Sequence, residues 1–299
     1  MADVLILGTV ALDDIETPFG KGENLLGGSA TYASYSASFF SKPGIVSVVG
    51  KDMPQHHIDL LTKKGVDVSG LAVEDKTFRW KGYYEYDMNS ARTLRTELNS
   101  LATFQPKIPE SYGRAKYIFL ANVDPEIQMA VLNHVESPEL VVLDTMNFWI
   151  EHKKEKLLEA IKLADVLVLN DGEARMLFAT TNLVQASNKA LKLVKKAVII
   201  KKGEHGALLF TKDKHFSAPA YPLENVFDPT GCGDSFGGGF IGYLAKIKSH
   251  SERDLRRAVV YGSVLASFTA EDFSINKLTK ISHEDIERRF NVMKEIREF

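Results

Sequence analysis

Short, nearly continuous apolar runs alternate with longer amphipathic segments along most of this 299-residue chain. The runs are rich in Val, Ile and Leu, which is typical of strands that are buried on both faces of a parallel sheet. Such an alternation requires right-handed crossovers, so it predicts an α/β fold with a doubly wound, mainly parallel sheet flanked by helices. The predicted strands are Val4–Gly8, Ile45–Gly50, Tyr117–Ala121, Leu140–Asp144, Val166–Asn170 and Ala197–Lys202.

The segments between and after these runs have the periodicity of surface helices. With 44% hydrophobic residues the chain has ample material for one large core, and residues 1–299 are predicted to form a single α/β domain. The predicted helices are Ser29–Phe40, Gln55–Lys64, Glu126–Val135, Lys153–Ala164, Leu183–Val194, Asp234–Ala245, Arg253–Phe268 and His283–Lys294.

One region interrupts the alternation. Between Thr77 and Leu101, aromatic, charged and small polar residues follow one another, with a turn candidate at Asn89-Ser90. This pattern predicts a separate small sheet, formed roughly by residues 14–25 and 77–103. Because ligands of open α/β sheets bind beyond the carboxyl ends of the strands, we expect the small sheet to be a lid. A decorated surface hairpin is the alternative.

Charge and composition exclude several classes of function. A net charge of −2 gives no electrostatic reason to expect a nucleic-acid partner. The first residues lack the basic region of a signal peptide, and no apolar run has the length of a membrane helix. Cys232 is the only cysteine, so an intrachain disulfide is impossible. These features favour a cytoplasmic protein with a small-molecule substrate.

The segment with the strongest chemical signal is residues 228–240, which read DPTGCGDSFGGGF. Gly231 and Gly233 flank Cys232 and allow backbone N–H groups to converge at the start of a predicted helix, where an anion such as a phosphoryl group binds. Asp234 stands at that start and is placed to accept a proton from an attacking hydroxyl group. The alternative is a glycine-rich turn in which Asp234 only caps the helix.

This segment resembles the signature D-T-x-G-A-G-D-x-F of the ribokinase-like (PfkB) family of carbohydrate and nucleoside kinases. Pro229 and Cys232 stand where Thr and Ala are more usual. The resemblance extends over nearly the whole chain and implies a ribokinase-like fold. It also implies an ATP-dependent kinase that uses Mg²⁺, with the turn Gly231-Cys232-Gly233 as anion hole and Asp234 as base. In this family a monovalent cation, K⁺, often binds beside the anion loop, and Asp228 is the matching residue.

Three further segments match the substrate side of the family. Asp13 follows the first strand, and Gly27-Gly28 opens a helix; in the family this aspartate binds sugar hydroxyls and the glycines let the backbone approach the substrate. Tyr32 stands where the family often has asparagine, and a stacking contact with the substrate is one interpretation. Asp144, in Asp144-Thr145-Met146-Asn147, resembles the family's D-x-N segment and is a substrate-binding candidate.

The nucleotide side is represented by two motifs. Asn170-Asp171-Gly172-Glu173 resembles the family's N-x-x-E motif, which implies that Asn170 lies near the nucleotide and that Glu173 holds Mg²⁺ through water. An ordinary capping box is an alternative that is compatible with this role.

Residues 201–206, KKGEHG, resemble the T-L-G-x-x-G nucleotide loop. Gly203 and Gly206 match, whereas Lys201 and Lys202 replace Thr and Leu, and either lysine can pair with phosphates. Lys202 is the candidate chosen for nucleotide binding, together with Thr230 of the signature. Two other segments, residues 49–52 and 64–69, resemble framework turns of the family with packing roles.

The sequence therefore predicts a kinase that phosphorylates a hydroxymethyl group of a sugar or sugar-derived molecule. A nucleoside kinase and a non-catalytic nucleotide- or sugar-binding regulator are the alternatives. A dinucleotide-dependent oxidoreductase is disfavoured, because no G-x-G-x-x-G follows the first strand. The lid aromatics can stack on a ligand or pack between sheets, and their number favours packing; they are Trp80, Tyr83, Tyr84 and Tyr86. Because lid strands can pair across subunits, a homodimer through the lid is expected.

Overall fold

The computed structural model describes residues 2–298. The strands of this part of the chain are β1 Val4–Leu7, β2 Ala11–Thr17, β3 Gly20–Gly27, β4 Pro43–Gly50, β5 Asp67–Glu74, β6 Phe78–Tyr84, β7 Ala91–Glu97, β8 Tyr117–Leu120, β9 Leu140–Asp144, β10 Val166–Asn170, β11 Ala197–Lys201, β12 Ala207–Thr211 and β13 His215–Ala218. Its α-helices are α1 Ser29–Ala37, α2 Gln55–Lys63, α3 Pro125–Leu132, α4 Asn147–His152, α5 Lys154–Leu163, α6 Asp171–Phe178, α7 Leu183–Ala190, α8 Cys232–Ile247, α9 Glu252–Thr269 and α10 His283–Glu295.

The large sheet has nine strands in the order β13-β12-β11-β10-β9-β8-β1-β4-β5. The strands from β5 to β11 in this order are parallel, and at the other edge β12 pairs antiparallel with both β11 and β13. The predicted doubly wound, mainly parallel sheet is confirmed.

The central strands are buried on both faces because helices cover both. Along β1, Val4 and Ile6 pack into one apolar cluster, while Leu5 and Leu7 pack into the cluster on the other face. Helices α1, α2, α8, α9 and α10 contribute to the first cluster, and α3 to α7 contribute to the second. A strand in this position has no solvated face, which explains the continuous apolar runs in the sequence.

A separate four-stranded sheet, in the order β3-β2-β6-β7, lies beside the large one. Strands β2 and β6 are parallel, and β3 and β7 pair antiparallel with them at the two edges. Asp52 anchors this small sheet, because its carboxylate accepts hydrogen bonds of 2.8 Å from both the backbone N–H and the hydroxyl of Thr77, just before β6. The predicted separate small sheet is thus present, with its strands close to the expected ranges.

The structure also contains elements that the sequence pattern did not predict. Residues 67–69, placed in a framework turn, begin strand β5, which is half-exposed at the edge of the large sheet. Strands β12 and β13 lie at the other edge, where β13 alternates buried and exposed residues. The edge strands β5 and β13 are partly solvated and therefore lack the continuous apolar run on which the prediction relied. Strand β12 lies next to the edge and does contain an apolar run, residues 207–210, which is not among the predicted strands.

No helix within residues 2–298 is both long and apolar enough to cross a membrane.

Candidate active site

The carboxyl ends of three neighbouring strands bring Asp144, Asn170 and Lys201 together. Asn170 ends β10 and is in register with Lys201 at the end of β11, while Asp144 ends β9 in register with Val168. The Lys201 Nζ donates a 2.8 Å hydrogen bond to Asp144 Oδ2, and the Asp144 side chain is buried. The predicted substrate residue Asp144 is therefore held in a buried ion pair.

The glycine-rich segment forms a tight turn that leads directly into α8. Gly231 has φ 75°, a left-handed conformation that favours glycine, and a Cβ atom there would overlap the ring of Tyr32. No side chain within residues 2–298 caps the start of α8. The first backbone N–H groups of a helix have no partner within the helix, so this start has the donors that an anion would need.

Asp234 lies in the first turn of α8, next to this anion site. Burial, followed by the nearby charge of Asp144, raises the pKa of the Asp234 carboxyl to about 7, although Lys201 lowers it. Gly233 lies against the same lysine, since a Cβ atom on Gly233 would be 3.0 Å from Lys201 Nζ. Asp234 is thus poised to exchange a proton near neutral pH.

Glu173 is buried in the first turn of α6 and closes a capping box with Asn170. The Glu173 N–H donates to Asn170 Oδ1 at 2.8 Å, and the Asn170 N–H donates to Glu173 Oε2 at 2.6 Å. Burial raises the pKa of Glu173 to about 8; Lys201 lowers it and Asp144 raises it. The capping box is therefore present, and the Glu173 carboxylate also lies close enough to Lys201 and Asp144 for their charges to change its pKa.

The small sheet supplies Asp13, which is buried on β2. A Cβ atom on Gly27 would overlap the Asp13 carboxylate, and Gly28 has φ 94° and a Cβ atom there would overlap the backbone of Thr9. Burial and the charges of Asp228 and Asp234 raise the pKa of Asp13 to about 8. Its Oδ1 atom has no hydrogen-bond partner within the described residues.

A hydrogen bond joins the small sheet to the anion turn. The hydroxyl of Thr230 donates to the hydroxyl of Tyr84, at the end of β6, over 3.1 Å. Tyr32 is fully buried close by, with no partner for its hydroxyl in the described part of the chain. Burial, together with the charges of Asp228 and Asp13, raises the pKa of Tyr32. Tyr32 therefore lies beneath the anion turn with its ring against Gly231.

Asp228 stands at the entrance to the same turn and is completely buried. Its Oδ1 accepts a 2.9 Å hydrogen bond from the Thr230 N–H, whereas Oδ2 has no partner within residues 2–298. Burial raises the pKa of Asp228 to about 6, although hydrogen bonds from Thr230 lower it. The unpartnered oxygen leaves Asp228 with capacity to bind a further donor or a cation.

The predicted nucleotide loop forms a compact turn after β11. The Lys202 N–H donates a 2.7 Å hydrogen bond to the Gly206 carbonyl, and Gly206 packs against the backbone of Ala218 and Pro219. A Cβ atom on Gly203 would overlap the side chain of Asn89, at the turn between β6 and β7. The small sheet therefore reaches this loop as well.

Most of the predicted site residues lie at strand and helix ends, as the sequence predicts. Two residues, Lys201 and Tyr84, make contacts that the sequence did not indicate. Lys201 was named beside Lys202, yet Lys201 contacts Asp144 and the anion turn, while the Lys202 side chain forms no ion pair within residues 2–298. Tyr84 was grouped with packing aromatics, yet its hydroxyl bonds Thr230. A cation directly at the end of an otherwise apolar strand was the available signal for Lys201.

The fold and the site together define an α/β phosphotransferase. The sheet order matches doubly wound proteins that bind ligands beyond their strand ends, and an uncapped helix start with an adjacent carboxylate suits phosphoryl transfer. The chain belongs to the pfkB family of carbohydrate kinases, whose model matches residues 12–280. It is therefore an ATP-dependent kinase with an alcohol group as acceptor, as the sequence predicted.

Known proteins similar to this chain include nucleoside and sugar kinases. The cytidine kinase of Thermococcus kodakarensis is 29% identical over 248 residues, which are 81% of this chain and 88% of that protein. The crystal structure of the Methanocaldococcus jannaschii nucleoside kinase, of the ribokinase family, is 23% identical, has a TM-score of 0.78 and covers 97% of this chain and 98% of its own. A putative ribokinase II from E. coli in complex with ATP and Mg²⁺ has a TM-score of 0.77 at 17% identity, and the match covers 98% of this chain and 100% of that chain.

Proposed function

We propose that this kinase transfers the γ-phosphoryl group of ATP to the hydroxymethyl group of a nucleoside, with Asp234 as the general base. The observation that carries the proposal is the position of Asp234 in the first turn of α8, whose backbone N–H groups no side chain of the described residues caps. A base and a cluster of donors at one point are the main requirements of phosphoryl transfer.

In the proposed reaction the acceptor hydroxyl gives its proton to Asp234 and its oxygen attacks the γ-phosphorus in line. The N–H groups of the turn Gly231-Cys232-Gly233 stabilise the charge on the phosphoryl group. With a pKa of about 7, Asp234 is substantially ionised at neutral pH and strong enough as a base to accept the proton.

Asp13 is the proposed recognition group for the acceptor's vicinal hydroxyls. Its Oδ1 has no partner within the described residues and can accept such hydrogen bonds, and the lack of a side chain at Gly27 gives the Asp13 carboxylate its place. Trp80 is the β6 partner of Asp13 in the parallel β2–β6 pair, so its ring lies on the same face of the small sheet. A carboxylate and an indole ring on one face of the small sheet suit a ligand with both a sugar and a base.

The nucleoside is preferred because similar proteins, including the cytidine kinase described above, carry that activity in their names. A free sugar or sugar-derived acid is the second candidate. It is favoured by the same Asp13 and glycine pair, since these residues recognise hydroxyl groups and make no demand for a base.

Two cations are proposed for the site. Residues 2–298 contain no cluster of three acidic, His or Cys side chains that could hold a metal by themselves. Glu173 is therefore proposed to hold Mg²⁺ through water, with the phosphates as further ligands, and Mg²⁺ supplies charge neutralisation. Asp228 is proposed to hold K⁺, because its buried Oδ2 is otherwise unpartnered in the described chain.

The small sheet is proposed to act as a lid and as a dimer interface. Tyr84 and Asn89 bring it to the anion turn and to the nucleotide loop, which suits a cover that excludes water. Its edge strand β7 is exposed, and strand edges can pair with a second copy. Light scattering on the purified protein tests the homodimer.

ATP consumption tests the proposed function. ADP formation is measured with Mg²⁺ and K⁺ against cytidine, other nucleosides, free sugars and sugar acids, for wild type and Asp234→Asn. The expected result is nucleoside-dependent turnover that falls by about 100-fold or more in the variant, because general-base catalysis contributes on this scale. Turnover on free sugars alone would replace the nucleoside with the second candidate.

If ATP binds but no acceptor is phosphorylated, the non-catalytic regulator becomes the better description. Equal turnover by wild type and Asp234→Asn on a good acceptor would remove Asp234 from its role.

A further inference from the structure

The side chain of Lys201 is only 17% exposed, at the centre of the candidate site. A buried ammonium group is unfavourable unless opposite charges and hydrogen bonds surround it. The charges of Asp144, Glu173 and Asp234 raise the pKa of Lys201, against the effect of burial, so the side chain is a cation. The chain therefore maintains a fixed positive charge next to the proposed base.

The ion pair with Asp144 fixes the position of the Lys201 ammonium group. Asp144 uses Oδ2 to accept the 2.8 Å hydrogen bond from Lys201 and Oδ1 to accept a 2.9 Å bond from the Thr145 N–H. An ammonium group has three donors, and within the described residues Asp144 takes one of them. The remaining donors of Lys201 are available on the side of Gly233, because Nζ lies 3.0 Å from the position that a Cβ atom on Gly233 would occupy.

We propose that Lys201 binds the γ-phosphoryl group of ATP during its transfer and is a catalytic residue, with Asp144 as its positioning residue. A lysine ammonium is a compact point charge of the kind that phosphate sites use. As the bond between the γ-phosphorus and the β–γ bridging oxygen breaks and the acceptor oxygen bonds to phosphorus, the acceptor proton moves to Asp234. ADP leaves with the bridging oxygen, and Lys201 stabilises the charge on the non-bridging oxygens.

This inference rests on the proposed function, but its test needs no acceptor. Calorimetry measures the Mg²⁺-dependent affinities for ADP and for an ATP analogue with an imido group between its β- and γ-phosphates. Wild type is compared with Lys201→Met and Lys201→Arg. Lys192→Met is the control, since it removes an exposed lysine that is not among the site residues and that forms no ion pair within residues 2–298.

The expected result is that Lys201→Met loses affinity for the ATP analogue by about 10-fold or more while its ADP affinity changes little. A hydrogen bond to a charged group contributes about 1.5–3 kcal/mol, and each tenfold corresponds to about 1.4 kcal/mol. Lys201→Arg is expected to recover part of the loss, and Lys192→Met is expected to behave as wild type.

Equal changes in the two affinities, or none, would overturn the proposal and leave Lys201 with a purely structural role. Retained ADP affinity reports an intact nucleotide site in each variant. If Lys201→Met does not fold because Asp144 is left buried and unpaired, the double variant Lys201→Met/Asp144→Leu removes both charges and gives the same comparison.

The two possible failures are distinguishable. If wild type binds both nucleotides but phosphorylates no acceptor, the proposed function fails while the affinity ratio still decides the role of Lys201.

Discussion

Replacing Asp13 with asparagine is expected to stabilise the folded chain, although the same change removes the proposed binding of the acceptor. Asp13 is 4% exposed, and the charges of Asp228 and Asp234 oppose its ionisation. Its pKa is raised from 3.8 to about 8. A carboxyl group whose pKa is higher in the folded chain binds more protons there, so the free energy of unfolding falls as pH rises between the two values.

The size of the effect follows from the pKa shift. One proton bound in the folded but not in the unfolded chain gives a slope of about 1.4 kcal/mol per pH unit. Between pH 5.5 and 7.5 the Asp13 carboxyl therefore removes up to about 3 kcal/mol of stability from wild type. Asparagine cannot ionise, so the variant lacks this contribution at every pH.

Urea unfolding of wild type and Asp13→Asn at several pH values between 5 and 8 measures this difference. Glu173, Asp234 and Asp228, whose pKa values are raised to about 8, about 7 and about 6, contribute slopes of the same sign to both proteins, so the difference between the curves reports Asp13 together with its coupling to Asp228 and Asp234. The stability advantage of the variant is expected to grow with pH and to level off above about pH 8.

Asp14→Asn is the control, because Asp14 is the next residue of β2 and its carboxylate instead faces Lys81 at 3.9 Å. Parallel stability curves for wild type and Asp13→Asn would refute the reasoning. Such a result would mean that Asp13 ionises as easily in the folded chain as in the unfolded one.

Three further predictions concern the anion turn and its base. The kcat/KM for the acceptor should rise with pH through about 7, because Asp234 acts as a base only when ionised and its pKa is about 7; a pH–rate profile checks this. Gly231→Ala should lower Tm and activity together, because its φ is 75° and the new Cβ would overlap the Tyr32 ring. Tyr84→Phe should lower kcat/KM several-fold, because it removes the hydroxyl that accepts the hydrogen bond from Thr230 and joins the small sheet to the anion turn; initial rates check this, and the size is consistent with a neutral hydrogen bond of about 1 kcal/mol.

The central fold could be predicted from the sequence because burial on both faces leaves an unambiguous pattern. Strands such as β9 and β10 are continuous apolar runs, and each ends at a polar residue, Asp144 or Asn170. Edge strands carry no such pattern: β5 is half-exposed, so its sequence resembles a turn followed by a loop. The edges of a sheet are therefore the part that periodicity alone does not define.

The candidate site was predictable only where a residue's role depends on its own segment. The turn before α8 and the capping box of Asn170 and Glu173 are local, and their residues are adjacent in sequence. The contact of Tyr84 with Thr230 joins positions 146 residues apart, and sheet pairing brings them together. No spacing in the sequence encodes that contact, so Tyr84 was interpreted as a packing residue.

Lys201 and the carboxylates around it depend on one another. Its charge lowers the pKa values of Asp234 and Glu173, while Asp144 raises both. Without the lysine, the pKa of Asp234 would rise above 7 and the base would be mostly protonated at neutral pH. Lys201 stands where the similar family motif has threonine, a residue that carries no charge. In this chain, therefore, the positive charge of Lys201 offsets the repulsion between the carboxylates and favours the ionised form of Asp234, the proposed base.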